Sequence, residues 1–349
     1  MQPINTAICS FGMSGLVFHA PFINHHPGFN LVGIMERTKN LAVEKYPGIT
    51  TYRSIEELLA DDRIELVIVN TPNATHYDYT KMALEADKHV IVEKPFTNTV
   101  PEGTELIALA TQRGLKLSVF HNRRYDSDFR TVQQVVQQKL LGEILEVEIH
   151  FDRYKEELSP KLHKEVPGPG IGVLYDLGSH LTDQALQLFG RPTGVFADIR
   201  TVRPLSQIDD YFDVTLFYPN LRVKLKSSLL VREALPGFIL HGTKGSFLKN
   251  RTDVQEVSLI AGQTPATPGY GIEKESEQGL LHTELNGEVV RKHIPTQPGN
   301  YLDFFEAVYQ SIRNNAPEPV PGEDGLEVIE IIEAAYRSNE TKQVVELTN

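Results

Sequence analysis

The chain has 349 residues, room for two or three domains, and with 40% apolar and 23% charged residues it is neither disordered nor fibrous. Acidic side chains number 46 against 34 basic ones, and the formal charge of −12 argues against nucleic acid or an anionic membrane as the main partner. The single cysteine, Cys9, excludes an internal disulfide and a cysteine-built zinc site, and with no signal-like start and no long apolar run the expected location is cytoplasmic.

Through residue 121, short apolar runs alternate with helix-period segments. Asn5–Ser10, Asn30–Met35, Glu65–Asn70, His89–Glu93 and Lys116–Phe120 are apolar at consecutive positions, the pattern of strands buried on both faces, and a weaker run lies at Ile49–Tyr52. Helices between such strands predict right-handed crossovers onto a parallel, doubly wound sheet. Pro21, soon after Gly15, predicts a kinked or restarted first helix.

After residue 122 the rhythm changes. Helices are predicted at Asp126–Lys139 and Asp176–Phe189, then strands at Thr193–Val202, Tyr211–Tyr218, Leu221–Val231 and Phe238–Leu248. Asn286-Gly287, between His282–Leu285 and Glu288–Arg291, predicts a tight hairpin, because Asn-Gly tolerates the positive φ of a type I′ turn. Successive strands without helices imply a mostly antiparallel sheet. Ala261–Ser276 reads as a long loop, and helices at Tyr301–Ile312 and Glu323–Tyr336 close the chain.

Directly after the first strand come Ser10-Phe11-Gly12-Met13-Ser14-Gly15, a G-x-G-x-x-G motif whose first glycine is serine. In that motif the second glycine lets a pyrophosphate approach the backbone and the third packs helix against strand, at a helix N-terminus that favours anions. Its place in a strand–helix alternation makes residues 1–122 a Rossmann dinucleotide-binding domain. Glu36, at the end of the second strand, is placed to accept ribose hydroxyls and leans the reading to NAD, while Arg37 and Lys39 beside it suit the 2′-phosphate of NADP. Lys94, in Glu93-Lys94-Pro95, ends the fifth strand at the carboxyl edge where such sheets bind ligands. On the second predicted helix, Asp176, His180 and Asp183 share one stripe and Leu177, Leu181, Ala185 and Leu188 another. A carboxylate four residues from a histidine can orient a general base; the same spacing also makes an ordinary surface pair. No third zinc ligand is placed, so no metal site is expected.

These motifs together resemble the glucose-fructose oxidoreductase, inositol dehydrogenase and rhizopine catabolism (Gfo/Idh/MocA) oxidoreductases over nearly the whole chain: the Gly12/Gly15 turn, Thr71-Pro72-Asn73-Ala74-Thr75-His76, Glu93-Lys94-Pro95, Asn122-Arg123-Arg124-Tyr125-Asp126 and Asp176-x-x-x-His180. The resemblance implies a C-terminal α+β domain over residues 123–349 with an open-faced, mostly antiparallel sheet, its closing helix 323–336 returning to the first domain. It implies Lys94, Asp176 and His180 as the catalytic set, Thr71, Pro72, Asn73 and His76 along the cofactor, and Glu93 and Asn122 near the nicotinamide, with a cis Lys94–Pro95 bond. The implied activity is hydride transfer between NAD or NADP and a secondary alcohol or carbonyl of a sugar or inositol-like polyol, in a homo-oligomer, dimer or tetramer. Arg124, Tyr125, Tyr154 and His241 are substrate-side candidates by placement alone. Reduction of a different small carbonyl compound is an alternative, as is a non-catalytic NAD(P) sensor, which would not need Lys94, Asp176 and His180 together. The Pro- and Gly-rich stretch from Asp152 to Gly172, just before Asp176, is expected to be either a mobile lid or a rigid surface connection.

Overall fold

The computed structural model describes residues 2–160 and 165–347. The chain forms two compact units: Met1–Asn122 with Val254–Tyr270 and Asn300–Glu327, and Arg123–Asp253 with Gly271–Gly299 and Val328–Asn349. Two segments beyond residue 123, besides the start of the closing helix, therefore belong with the first unit.

In the first unit, strands β1 (Ile4–Ile8), β2 (Phe29–Met35), β3 (Thr50–Tyr52), β4 (Leu66–Val69), β5 (His89–Glu93) and β6 (Leu117–Phe120) pair in parallel in the order β3-β2-β1-β4-β5-β6. Leu66 to Val69 and Val90 to Val92 are buried without a break, which is why these strands read as continuous apolar runs. Helices α1 (Ala20–His25), α2 (Leu41–Lys45), α3 (Ile55–Leu59), α4 (His76–Glu85) and α5 (Val100–Arg113) connect them. A π-helical turn, Gly15–His19, precedes α1, and Pro21 falls in the first turn of α1, where its missing N–H costs nothing. A capping box between Thr99 and Glu102 starts α5, and Gly114, at φ 65°, ends it.

The second unit opens with α6 (Ser127–Gln137) and β7 (Ile144–His150), followed by a π-helical turn, Leu174–Gly178, that leads into α7 (Ser179–Phe189). Strands β8 (Gly194–Arg200), β9 (Tyr211–Phe217), β10 (Arg222–Ser228), β11 (Phe238–Gly242) and β12 (Gly245–Lys249) come next. Helix α8 (Val254–Ile260) belongs to the first unit; β13 (Gly279–Leu285) and β14 (Glu288–Ile294) extend the second. Helix α9 (Leu302–Asn314) lies in the first unit, α10 (Gly322–Thr341) starts there and ends in the second, and β15 (Val345–Glu346) completes a nine-stranded sheet, β14-β13-β12-β11-β7-β10-β9-β8-β15. Every pairing in that sheet is antiparallel except β7 with β10.

Strand β7, absent from the sequence reading, sits at the centre of this sheet. Its Val147 and Ile149 join Phe212, Val223, Leu225, Phe238 and Leu240 in the core on the face packed by α6 and α7, while Glu146 and Glu148 lie on the opposite face. The stretch Phe238–Leu248, predicted as one strand, folds back as β11 and β12, because the amides of Thr243 and Lys244 turn to the carbonyls of Glu143 and Leu141. The hairpin at Asn286 and Gly287 forms as predicted, with φ of 53° and 84°.

Of the Asp152–Gly172 stretch, residues 161–164 lie outside the described residues. On either side of them, the Ser159 amide donates to Glu165, whose carboxylate meets the Arg203 guanidinium at 2.8 Å; Arg203 also holds Asp210 at 2.9 Å, and these charges are buried.

Candidate active site

The loop after β1 shows why serine replaces the first glycine. Ser10 Oγ accepts the Gly12 amide at 3.2 Å, so the hydroxyl helps close the turn. A Cβ on Gly15 would fall 2.0 Å from the Ser10 carbonyl oxygen, which enforces glycine by close packing, whereas a Cβ on Gly12 would meet only Ser10 Oγ, at 3.5 Å. Gly12 is thus free for the backbone-close approach that a pyrophosphate needs. Met13 beside it is exposed. Asn70, at the end of β4, donates to the Ser10 carbonyl at 2.9 Å and holds the loop from the neighbouring strand.

At the end of β2, Glu36 turns inward. Its carboxylate oxygens accept the amides of Leu41 at 3.2 Å and Ala42 at 2.9 Å, capping α2, and the residue is buried. Arg37, Thr38 and Lys39 are exposed. Arg53, which the sequence reading did not single out, pins this loop by donating to the carbonyls of Glu36 and Lys39 and to Asn40 Oδ1. Beside Arg37 runs a cleft of about 450 Å³, also lined by Arg53, Ser54, Asp78, Tyr79 and Lys81.

The end of β5 is braced on both sides of Lys94. Glu93 Oε1 accepts from Ser14 Oγ at 2.5 Å and lies 2.9 Å from His19 Nε2. Burial alone would raise the Glu93 pKa, but its hydrogen bonds to His19 and Ser14 outweigh that and hold it below the usual value. On the other side, the Lys94–Pro95 peptide is cis, and His76 has Nδ1 2.8 Å from the Pro95 carbonyl oxygen and Nε2 2.9 Å from that of Thr71. His76, expected along the cofactor, is buried with its ring nitrogens against two backbone carbonyls, and so ties the loop after β4 to the loop after β5. Burial holds its pKa below the ordinary value. Thr71 accepts from the Thr75 hydroxyl, Pro72 is exposed, and Asn73 opens the short 3₁₀ turn before α4. Asn122, the last residue of the first unit's opening segment, is buried.

In the second unit, Asp176 lies inside the π-helical turn and is exposed, and His180 follows in the first turn of α7, 5% exposed. Such turns recur at functional sites because they re-aim side chains along a helix. The start of this helix is fixed by Asp209, whose carboxylate accepts the Leu174 amide at 2.9 Å and the Tyr336 hydroxyl at 2.8 Å. Burial pushes the Asp209 pKa up against those two donors. Gly172 is obligatory here, since it sits at φ 124° and a Cβ would collide with the Asp209 carboxylate.

Two substrate-side candidates have partners within the second unit. Arg124 closes a bidentate pair on Asp183, so its guanidinium is committed to α7. His241, hydrogen-bonded to Ser246, alternates with the buried Phe238 and Leu240 and therefore points to the face opposite α6 and α7. Tyr125 carries the Arg130 guanidinium over its ring at 5.5 Å. Tyr154 is exposed, donates to Glu156 and is stacked by Arg232 at 3.7 Å. Among the described residues, no cluster of His, Cys, Asp and Glu could hold a metal ion, and no helix is long and apolar enough to cross a membrane.

Residues 4–121 match the NAD-binding Rossmann fold of an oxidoreductase family, and residues 133–347 match the same family's C-terminal alpha/beta domain. The chain belongs to the Gfo/Idh/MocA oxidoreductases. Within this family it is similar to the scyllo-inositol 2-dehydrogenase (NADP(+)) of Bacillus subtilis, at 36% identity over 99% of this chain and 97% of that one. An uncharacterised oxidoreductase of Schizosaccharomyces pombe is 39% identical over 99% of this chain and 100% of its own. A crystallised Bacteroides fragilis protein classed as an oxidoreductase has the same fold, with a TM-score of 0.91 and 47% identity over 99% of this chain and 100% of that one. Membership makes this chain an NAD(P)-binding oxidoreductase, with a parallel Rossmann sheet in one unit and a mostly antiparallel sheet in the other.

Proposed function

We propose that the protein is an NADP-preferring dehydrogenase that moves a hydride between the nicotinamide and a secondary alcohol or carbonyl carbon of a cyclic polyol or sugar. The bound cofactor supplies the hydride chemistry. The chain supplies placement and proton handling. Gly12 admits the pyrophosphate, with Met13, Ser14 and Gly15 around it, and Thr71, Pro72 and Asn73 line the adenosine half. Lys94 stabilises negative charge on the substrate oxygen, His180 accepts the hydroxyl proton during oxidation and returns it during reduction, and Asp176 supports the imidazolium formed in between.

The observation that carries this reading is the setting of Lys94. It ends a buried strand of the same sheet whose first loop is opened by Gly12, with the residue before it and the residue after it each fixed by a buried histidine. A solvated surface lysine needs no such bracing. Similarity to the Bacillus subtilis scyllo-inositol dehydrogenase over nearly the full length of both chains supports a cyclic polyol.

The preference for NADP reverses the lean towards NAD drawn from Glu36. A carboxylate that caps α2 is spent there, while the exposed Arg37 and Lys39, on a loop pinned by Arg53, suit a 2′-phosphate. The same reading places the enzyme in a reducing compartment, where the buried thiol of Cys9 stays free, and as a homo-oligomer joined through the helix-free face of its nine-stranded sheet. Steady-state assays of a panel of inositols and aldoses with both cofactors test it. Turnover of a cyclic polyol with NADP at a higher kcat/KM than with NAD is expected. Preference for NAD would return Glu36 to the ribose, and no turnover of any polyol or sugar would remove the substrate class.

A further inference from the structure

One buried histidine of the first unit has no role in the reaction as described. His19 lies on the π-helical turn after the dinucleotide loop and is 0% exposed. Its ring centroid is 4.5 Å from that of Phe120, and it meets Phe305 edge-on at 6.2 Å, so an aromatic cage holds it. Nε2 points at Glu93 Oε1, 2.9 Å away, and Nδ1 has no partner among the described residues. The Nε2–H tautomer serves this geometry: Nε2–H donates to the carboxylate, and Nδ1 keeps a lone pair, which costs less to bury unpaired than an N–H.

Three segments of the first unit meet at that one carboxylate oxygen. Ser14 comes from the dinucleotide loop, His19 from the turn behind it, and Glu93 from the strand end whose next residue is Lys94. We infer that His19 is a positioning residue: by fixing Glu93 it locks the strand end that carries Lys94 to the loop that receives the cofactor. The inference rests on the role proposed above for Lys94 and on cofactor binding at Gly12. Fully buried, His19 would act through Glu93. Misplacement of a reacting group by about 1 Å costs on the order of a hundredfold in rate, and Ser14, a half-buried hydroxyl at the start of the π-helical turn, is a weaker anchor than a caged ring. The buried, unpaired Nδ1 is also informative. A histidine selected for packing alone would be replaced at no cost by phenylalanine in this aromatic cage, so the Nε2 contact is what calls for an imidazole.

The test compares His19→Phe, which keeps the aromatic volume and removes the donor, with His19→Gln, whose amide reaches the place of Nε2. NADPH binding is followed by the cofactor's own fluorescence, in a chain that has no tryptophan to interfere, and kcat and KM are measured separately. His19→Phe is expected to weaken NADPH binding about tenfold and lower kcat by about ten- to a hundredfold, with the polyol KM changed only a few-fold. His19→Gln is expected to recover most of both losses. If the two variants behave alike, either both as the wild type or both equally impaired, the inference is overturned. Should His19→Phe not fold, Ser14→Ala removes the other donor to the same oxygen; the inference then expects His19→Gln to cost more NADPH binding and kcat in the Ser14→Ala background than in the wild type, and an equal cost in both backgrounds overturns it. A wild type that binds neither NADPH nor NADH would overturn the cofactor reading itself, and this inference with it, whereas a wild type that binds and turns over with indifferent His19 variants overturns this inference alone.

Discussion

Arg124 and Asp183 form a bidentate ion pair, Nε 2.9 Å from one carboxylate oxygen and Nη2 2.5 Å from the other, with side chains 9% and 3% exposed. Asp183 stands three residues after His180 on α7, so the pair fixes the helix that carries the proposed base. Removing one partner strands a buried charge. Asp183→Ala is expected to destabilise the fold by about 3–5 kcal/mol, and the combination of Arg124→Met with Asp183→Leu by less, as read by chemical denaturation. Additive losses from the two sites would show that they do not act as a pair.

The two glycines of the dinucleotide loop are expected to respond differently. Gly12→Ala adds a methyl where only Ser10 Oγ stands nearby, so the melting temperature should hold while cofactor binding falls about tenfold or more. Gly15→Ala drives a methyl into the Ser10 carbonyl and should lower the melting temperature as well. Calorimetry and NADPH titration separate the two effects; equal melting losses would mean that Gly12, too, is constrained by packing.

Lys94→Ala and His180→Ala are each expected to lower kcat by about a hundredfold or more and leave NADPH affinity within a few-fold, since the roles proposed for both concern the substrate oxygen and its proton. Near-normal turnover in either variant removes that residue from the mechanism. Asp176→Asn is expected to be milder, because the role proposed for Asp176 is to support the imidazolium and not to take the proton itself.

His150 supplies a pH prediction. It lies at the end of β7 with Nε2 2.8 Å from Glu148 and Nδ1 3.2 Å from Asp152. Burial pushes its pKa down, but the two carboxylates outweigh this and hold it above the ordinary histidine value, even with Lys226 as its cross-strand neighbour. A pKa raised in the folded state means that the pair's support is complete below about pH 6.5, the unfolded value, and is lost as pH rises through the folded one. His150→Gln should therefore cost more melting temperature at about pH 5.5 than at about pH 9. A gap that is the same at both would show that the ring is held by packing and not by its charge.

Much of the fold was legible before any coordinates. Leu66 to Val69 and Val90 to Val92 are buried on both faces, so an unbroken apolar run announced them; Asn286-Gly287 announced its hairpin because few other residues tolerate two positive φ angles in succession. The glycine loop, the strand-end lysine and the Asp176/His180 spacing were legible for the same reason: each is a short-range pattern with a short-range physical cause. Strand β7 was missed because its Glu-Val-Glu-Ile alternation has one charged face, which weakens it as an apolar signal, and only its seat between β10 and β11 makes it central.

What the local pattern could not convey was which partner each polar group would find. Glu36 has the position of a ribose acceptor, yet it caps α2, because the chain between them turns the amides of Leu41 and Ala42 towards it. Nothing near Arg124 in sequence announced its pair with Asp183, 59 residues away, and His19 had no visible purpose until Glu93, 74 residues away, came within 2.9 Å. Periodicity and turn chemistry arise from neighbours along the chain and leave a mark there. A buried charge or imidazole must satisfy its hydrogen bonds with whatever the folded chain brings within about 3 Å, and residues so distant in sequence meet only after the sheet order has been established.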